Sequence, residues 1–166
     1  MLVVFAVLGQ ERRVSTTVPA DGTKLSRARL GLSASTALIF AATLFPFRLR
    51  FDKAHLLEKM KEIEWEIYYT DRPGHVSIDR DLIQNLVLFA PFGACLALAA
   101  RAPQPKRDAL WALGLGTVLS VMVELLQLLT ETRVTQLADV WRNALGAALA
   151  ALIVSSWRAR TSSAVP

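Results

Sequence analysis

The stretch that decides the fold is residues 120–146, SVMVELLQLLTETRVTQLADVWRNALG, where an apolar sequence carries several ionisable and amide side chains. A carboxylate at bilayer depth costs roughly 2.5 to 3.5 kcal/mol on insertion scales, so such a residue requires a partner or has a function. Two polar segments joined by a short loop therefore indicate a site. Its members are Glu124, Gln127, Arg133, Asp139, Arg142 and Asn143.

Helical spacing predicts how these side chains meet. Residues separated by three, four and seven positions share a helix face, so the polar groups of each segment form a seam. The first seam holds Thr117, Ser120, Glu124 and Gln127, and the second holds Asp139, Asn143, Gly146 and Ala150. Because Gly146 and Ala150 are small, they permit a neighbouring helix to approach closely. We expect the two seams to pack together.

The distribution of apolar residues predicts the fold class. The chain has 166 residues, of which 53% are hydrophobic, and these are clustered into runs. A membrane-spanning helix needs about 20 mostly apolar residues, and four segments approach that length: 30–47, 82–100, 109–129 and 137–157. We predict an all-α, four-helix transmembrane bundle over residues 30–157, with a flexible cytoplasmic tail at 1–29 and a second tail at 158–166.

The connection between the first two predicted spans, residues 48–81, is long and mixed in charge. Within it Leu56, Met60, Ile63 and Ile67 recur at helical spacing, which predicts an amphipathic helix. Because Trp65 lies near the end of this helix, the helix could lie at the headgroup level or cap the bundle. A solvated helix is the third reading, and the sequence leaves all three open.

Basic residues predict the orientation in the membrane. The net charge is +5, yet Lys and Arg are spread over loops and tails, which argues against a nucleic-acid partner. Five lie in the N-terminal tail, three in the loop around Arg101 and two in the C-terminal tail, against one, Arg133, in the loop between the last two spans. The positive-inside rule then places both termini of this multi-pass protein in the cytoplasm.

Cysteine and histidine usage argues against a metal or redox site. Cys95 is the single cysteine and lies in an apolar run, so we assign it to packing. The two histidines, His55 and His75, both fall in the long loop, away from the polar seams. We therefore expect no metal and no cofactor, and no catalytic triad can be assembled from these residues.

Several of these residues also match a known pattern. NLVLFAPFG at 85–93, Glu124 with Gln127, then Arg133, and finally Asp139 with Asn143 and Gly146 stand in an order similar to that of the VanZ-like family of small bacterial membrane proteins. The resemblance covers about residues 81–151. It implies a multi-pass protein of the bacterial inner (plasma) membrane acting in the cell envelope. The family takes its name from a protein linked to teicoplanin resistance, and most members have no established reaction.

The sequence departs from that family pattern at two places. Residues 130–132 are Thr, Glu and Thr, where a proline-glycine-like turn is common, and the bulky pair Trp141 and Arg142 precedes Asn143. These differences bear on ligand choice. The acidic, amide and arginine residues of the pattern are all present.

The polar side chains of the two seams would line a cleft, which the predicted topology places at the outer leaflet. Two functional readings follow for this polar cleft. In the first, the cleft binds or acts on an outer-leaflet glycolipid or a lipid-linked peptidoglycan precursor. Arg133 would hold an anionic or carbonyl group, and Asn85, Gln127 and Asn143 would orient polar groups. Glu124 or Asp139 would then exchange a proton, and whether the protein is an enzyme is left open.

In the second reading, the same charged and amide groups only lock the helices together, at roughly 0.6 to 2 kcal/mol per polar contact. A third class of function, a proton-coupled carrier or an assembly factor with membrane protein partners, would need a polar path toward the cytoplasmic side. No such path continues in the sequence beyond Ser120 and Asn143.

Overall fold

The computed structural model describes residues 20–64 and 80–163, and within these ranges the chain forms five α-helices. They are α1 (Ala20–Leu44), α2 (Lys53–Lys61), α3 (Arg80–Ala99), α4 (Pro105–Gln127) and α5 (Leu137–Ser163). The all-α prediction is confirmed. α2 is the predicted helix in the connection between the first two long helices.

Three of the described helices, α3, α4 and α5, are long and apolar enough to cross a membrane. α1 does not meet that criterion as a whole, because its first part carries charged side chains such as Arg27 and Arg29 ahead of the apolar run. It nevertheless packs against α3, and its Ile39 is fully buried in the core shared by the long helices. A membrane crossing by α1 stays a prediction.

The ends of the helices differ from the predicted spans. α1 begins at Ala20, so residues 20–29, assigned to the tail from the sequence, are helical. It ends at Leu44 because Pro46 lacks an N–H and disfavours helix before it; the Phe45–Pro46 peptide bond is cis. α5 continues to Ser163, and α3 continues through Pro91. The predicted tail over residues 1–19 lies outside the described residues.

α2 is shorter than the apolar pattern predicts. Asp52 caps it, its side chain accepting a hydrogen bond from the N–H of His55 at 2.9 Å. This bond, together with nearby Arg50, holds the pKa of the exposed Asp52 carboxyl below its ordinary value. The helix ends at Lys61, so Ile63 follows it. The predicted continuation to Ile67 lies outside the described residues.

The closest helix contact joins α3 and α5. A Cβ atom on Gly146 would lie 2.4 Å from the carbonyl oxygen of Leu86, and one on Gly93 would lie 1.9 Å from that of Ala147. The two backbones therefore touch, as predicted for Gly146 from its position in the second seam. α3 and α5 run parallel, and α4 runs antiparallel to both. This arrangement gathers the end of α1, the start of α3, the end of α4 and the start of α5 at one end of the bundle.

The segment that follows α1 is held across this end. We call residues 45–64, which include α2, the strap. Its backbone pairs with the α4–α5 loop at two isolated bridges, Leu49 with Thr130 and Glu64 with Gln136. Lys59 adds a hydrogen bond from its ammonium group to the carbonyl oxygen of Arg133 at 3.3 Å. The strap therefore closes the end of the bundle that carries the predicted polar cleft.

Candidate functional site

The acidic residue of the first seam, Glu124, lies buried in the last turn of α4. Its Oε2 atom accepts a hydrogen bond from the backbone N–H of Gln136 at 3.0 Å, directly before α5 begins. The hydroxyl of Thr135 donates to the Glu124 carbonyl oxygen at 3.3 Å. The carboxylate therefore faces the positive end of the α5 dipole. Its partner is therefore a backbone amide of the loop that leads into α5.

The acidic residue of the second seam, Asp139, joins α5 to α3. Its carboxylate forms an ion pair with Arg142 on the same helix at 3.3 Å, and the side chain of Asn85 reaches it from α3. The carboxylates of Asp81 and Glu124 are close enough to interact with it electrostatically. Three carboxylates thus lie near one another, and one of them, that of Asp139, is paired with the buried guanidinium of Arg142.

The two seams meet at Asn143 and Ser120. The Asn143 side-chain amide donates to the Ser120 hydroxyl at 2.9 Å, and both residues are buried. The packing of the two seams is thereby confirmed. Within the described part of the chain, the Oδ1 atom of Asn143 and the Nε atom of neighbouring Arg142 have no hydrogen-bond partner. Buried polar atoms are almost always paired, so these two atoms need an explanation.

The two remaining site residues, Gln127 and Arg133, turn toward α1 instead. The Gln127 amide donates to the carbonyl oxygen of Thr43 at 3.4 Å. One terminal nitrogen of the exposed Arg133 donates to the carbonyl oxygens of Ala42 and Phe45, at 3.3 and 3.2 Å. These are carbonyls at the C-terminal end of a helix, which lack intrahelical partners. Both residues therefore cap α1.

The structure thus divides the predicted site residues into two groups. Asn85, Glu124, Asp139 and Asn143 come together where α3, α4 and α5 meet, with Arg142 among them, and we call this group with Asp81 the polar cluster. Gln127 and Arg133 lie beside the end of α1. Spacing along one helix predicted the contact between Ser120 and Asn143, but it carries no information on which side chain reaches the end of another helix.

Sequence reasoning missed a second polar group at the opposite end of the bundle. Buried Asp108 accepts hydrogen bonds from the hydroxyl of Ser155 at 2.6 Å and from the N–H of Gln104 at 3.0 Å. Arg158 donates to the carbonyl oxygens of Ala97 and Ala100 at the end of α3. An acidic residue in the first turn of α4 and an arginine near the end of α5 were the available signals. The pairing of Asp108 with a serine 47 positions away has no local signature.

Comparison with known proteins gives one match. A family model described as VanZ/LLP1 matches residues 16–158, which covers α1 to most of α5 and includes every residue of the polar cluster. No curated protein and no solved structure matches the chain.

Proposed function

This chain belongs to the VanZ/LLP1 family, and we propose that it is a membrane protein whose polar cluster binds the headgroup of an envelope lipid, such as a glycolipid or a lipid-linked peptidoglycan precursor. One observation carries the proposal. The Nε atom of Arg142 and the Oδ1 atom of Asn143 are buried and unpartnered among the described residues, on adjacent positions near the start of α5. One is a donor and the other an acceptor, so the pair suits a headgroup rich in hydroxyl or amide groups, which both donate and accept.

The charges of the polar cluster favour one class of headgroup chemistry. Asp81, Glu124 and Asp139 contribute three carboxylates against the single guanidinium of Arg142. Sugar hydroxyls and peptide amides donate hydrogen bonds to carboxylates, whereas a deprotonated phosphate has no hydrogen to donate and is repelled by each carboxylate that is ionised. The proposal therefore concerns the sugar or peptide portion of such a lipid. Withholding that portion from the cell surface would alter susceptibility to glycopeptide antibiotics.

The carboxylates also bear on catalysis. Glu124 and Asp139 are the residues in the cluster that could accept or donate a proton on a bound headgroup. Glu124 already accepts a backbone hydrogen bond, and Asp139 is ion-paired. The proposal is accordingly one of binding, with Asn85, Arg142 and Asn143 in direct contact with the headgroup.

The test compares lipids that co-purify with the protein. Arg142→Lys keeps a positive charge for Asp139 and removes the Nε donor. Arg158→Lys makes the same exchange at the opposite end of the bundle and serves as the matched control. Mass spectrometry of lipids extracted from mild-detergent preparations should show a species retained by wild type and by Arg158→Lys but lost from Arg142→Lys. Thermal unfolding of each preparation checks that the fold is intact. Equal lipid profiles in all three proteins would refute the proposal.

A purely structural function is the second candidate, and a specific set of contacts favours it. Glu124, Gln127 and Arg133 each bond to backbone groups of another segment, which is how residues that only fasten a bundle behave. Under this reading Arg142→Lys lowers thermal stability and leaves the lipid profile unchanged. The same two measurements therefore separate the two functions.

A further inference from the structure

The strap has an inverted amphipathic helix. On α2, residues 55 and 59 share a face that is turned toward the protein: His55 is buried, and Lys59 bonds to the carbonyl oxygen of Arg133 and to Glu62, with Leu56 half-buried beside them. The apolar side chains of Leu57 and Met60 are turned outward, 50% and 53% exposed. A helix on a water-facing surface buries its apolar face instead.

The extended part of the strap repeats this arrangement. Leu49 and Phe51 alternate with Arg48 and Arg50 after Phe47, which has a positive φ of 61°, and side chains of an extended backbone point to opposite sides in turn. The side chains of Phe47, Leu49 and Phe51 are all exposed, Phe51 to 75%. Arg50 is paired on the other side with Asp52 and Glu131. The apolar side of this segment therefore faces away from the α4–α5 loop.

From these two faces we infer that the strap is a membrane-surface element, with the apolar side chains of residues 47–60 inserted into the headgroup–acyl boundary of the bilayer. Its position supports a lipid occupant. The strap follows α1 and is bonded to the loop that joins α4 and α5, two helices that are membrane-capable and expose Leu125 and Leu137 near that loop. The strap is therefore attached at the end of helices whose apolar surface can meet lipid.

The charges around this face fit the same occupant. Lys53 and Lys61, at the two ends of α2, are exposed and flank Leu57 and Met60. Lysine side chains in this position extend their ammonium groups to lipid phosphates while their methylene stems lie against apolar surface. Such a helix binds in the plane of the interface and does not span the membrane.

Spin labelling of the full chain in lipid vesicles tests the inference. Leu57→Cys and Phe51→Cys, each in a Cys95→Ser background, are labelled with a nitroxide and compared with Glu58→Cys, the matched control one position along α2. Power saturation then measures collisions with oxygen, which concentrates in lipid, and with a water-soluble nickel chelate. We expect oxygen to dominate at positions 51 and 57 and nickel to dominate at position 58.

Each other outcome contradicts the inference. If nickel dominates at all three positions, the strap lies in water. If both collision rates are low at 51 and 57, the face is covered by protein, either a second copy of this chain or another partner. The substituted side chains are exposed, so loss of the fold does not accompany their replacement. The result does not depend on whether the polar cluster binds a headgroup.

Discussion

The contact between α3 and α5 allows a stability prediction from two matched glycine substitutions. Gly146→Ala places a methyl group 2.4 Å from the carbonyl oxygen of Leu86, whereas Gly114→Ala on α4 meets nothing within 4 Å. To restore ordinary contact of 3.4 Å at Gly146, the backbones of α3 and α5 must separate by about 1 Å. The obstructing atoms are backbone atoms and cannot move aside as a side chain would.

The magnitude follows from two opposing terms. Overpacking costs about 1 to 3 kcal/mol, and the upper part of that range applies where backbone is displaced. Replacing a helical glycine by alanine returns up to about 1 kcal/mol. Gly146→Ala should therefore lose roughly 2 kcal/mol, which lowers the melting temperature by about 4 to 8 °C for a chain of this size, whereas Gly114→Ala should raise it by about 2 to 4 °C.

The sole cysteine provides the assay. Cys95 is half-buried on α3 and close to Gly31 of α1, so a dye that becomes fluorescent on reaction with thiols reports its exposure as the bundle unfolds in detergent. Gly93→Ala, with its Cβ 1.9 Å from the Ala147 carbonyl oxygen, should be at least as destabilising as Gly146→Ala. If Gly146→Ala melts at or above the temperature of Gly114→Ala, the close backbone contact described here is incorrect.

Four further predictions concern single positions. In a cysteine-free background, an impermeant reagent added outside should modify Thr132→Cys and not Gln104→Cys; the reverse result overturns the proposed orientation. Glu124→Gln should keep both the fold and the co-purified lipid, because the amide oxygen still accepts the loop N–H and the headgroup contacts other residues; loss of the lipid from a folded variant would show that the charge is needed. Arg133→Ala should lower thermal stability and Arg133→Lys should restore it, because a single nitrogen of Arg133 makes both bonds to the end of α1. Loss of the co-purified lipid from both variants at unchanged stability would instead support the ligand role inferred from the sequence. Because the pKa of Asp52 is lowered in the folded protein, its capping of α2 is complete above the ordinary value of 3.8 and is lost as pH falls through the lower folded pKa. Amide exchange in α2 should therefore accelerate in that low pH range. A protein carrying Asp52→Asn is the control, because this pH dependence is absent from it.

The sequence predicted the features that depend on helical periodicity. The apolar runs predicted the long helices, and the spacing of Ser120 and Asn143 in two seams predicted their contact. Gly146 was predicted to allow close approach because small residues have that effect wherever two membrane helices cross. Each of these inferences needs only the geometry of one helix and the rule that polar groups in a membrane face protein.

Contacts between a side chain and a distant backbone group were not predictable in the same way. Glu124 bonds to an N–H of Gln136, and every residue except proline supplies such a group, so the identity of Gln136 gives no signal. Arg133 caps a helix about 90 positions earlier, and the sequence placed the end of that helix three residues too late. A helix was predicted within the strap, but the attachment of the strap to the α4–α5 loop rests on backbone pairing, which again has no residue signature.

The parallel pairing of α3 with α5 fixes the order in which this protein can be completed during synthesis. α3 leaves the ribosome without its closest neighbour, because α4 must first be made and inserted in the opposite direction. The carboxylate of Glu124 gains its hydrogen-bond donor only when Gln136 has been synthesised, and Asp108 gains the hydroxyl of Ser155 later still. A nascent chain that stops before α5 therefore exposes polar groups that lipid cannot satisfy. These polar groups therefore gain their final partners only after the last helix has been made.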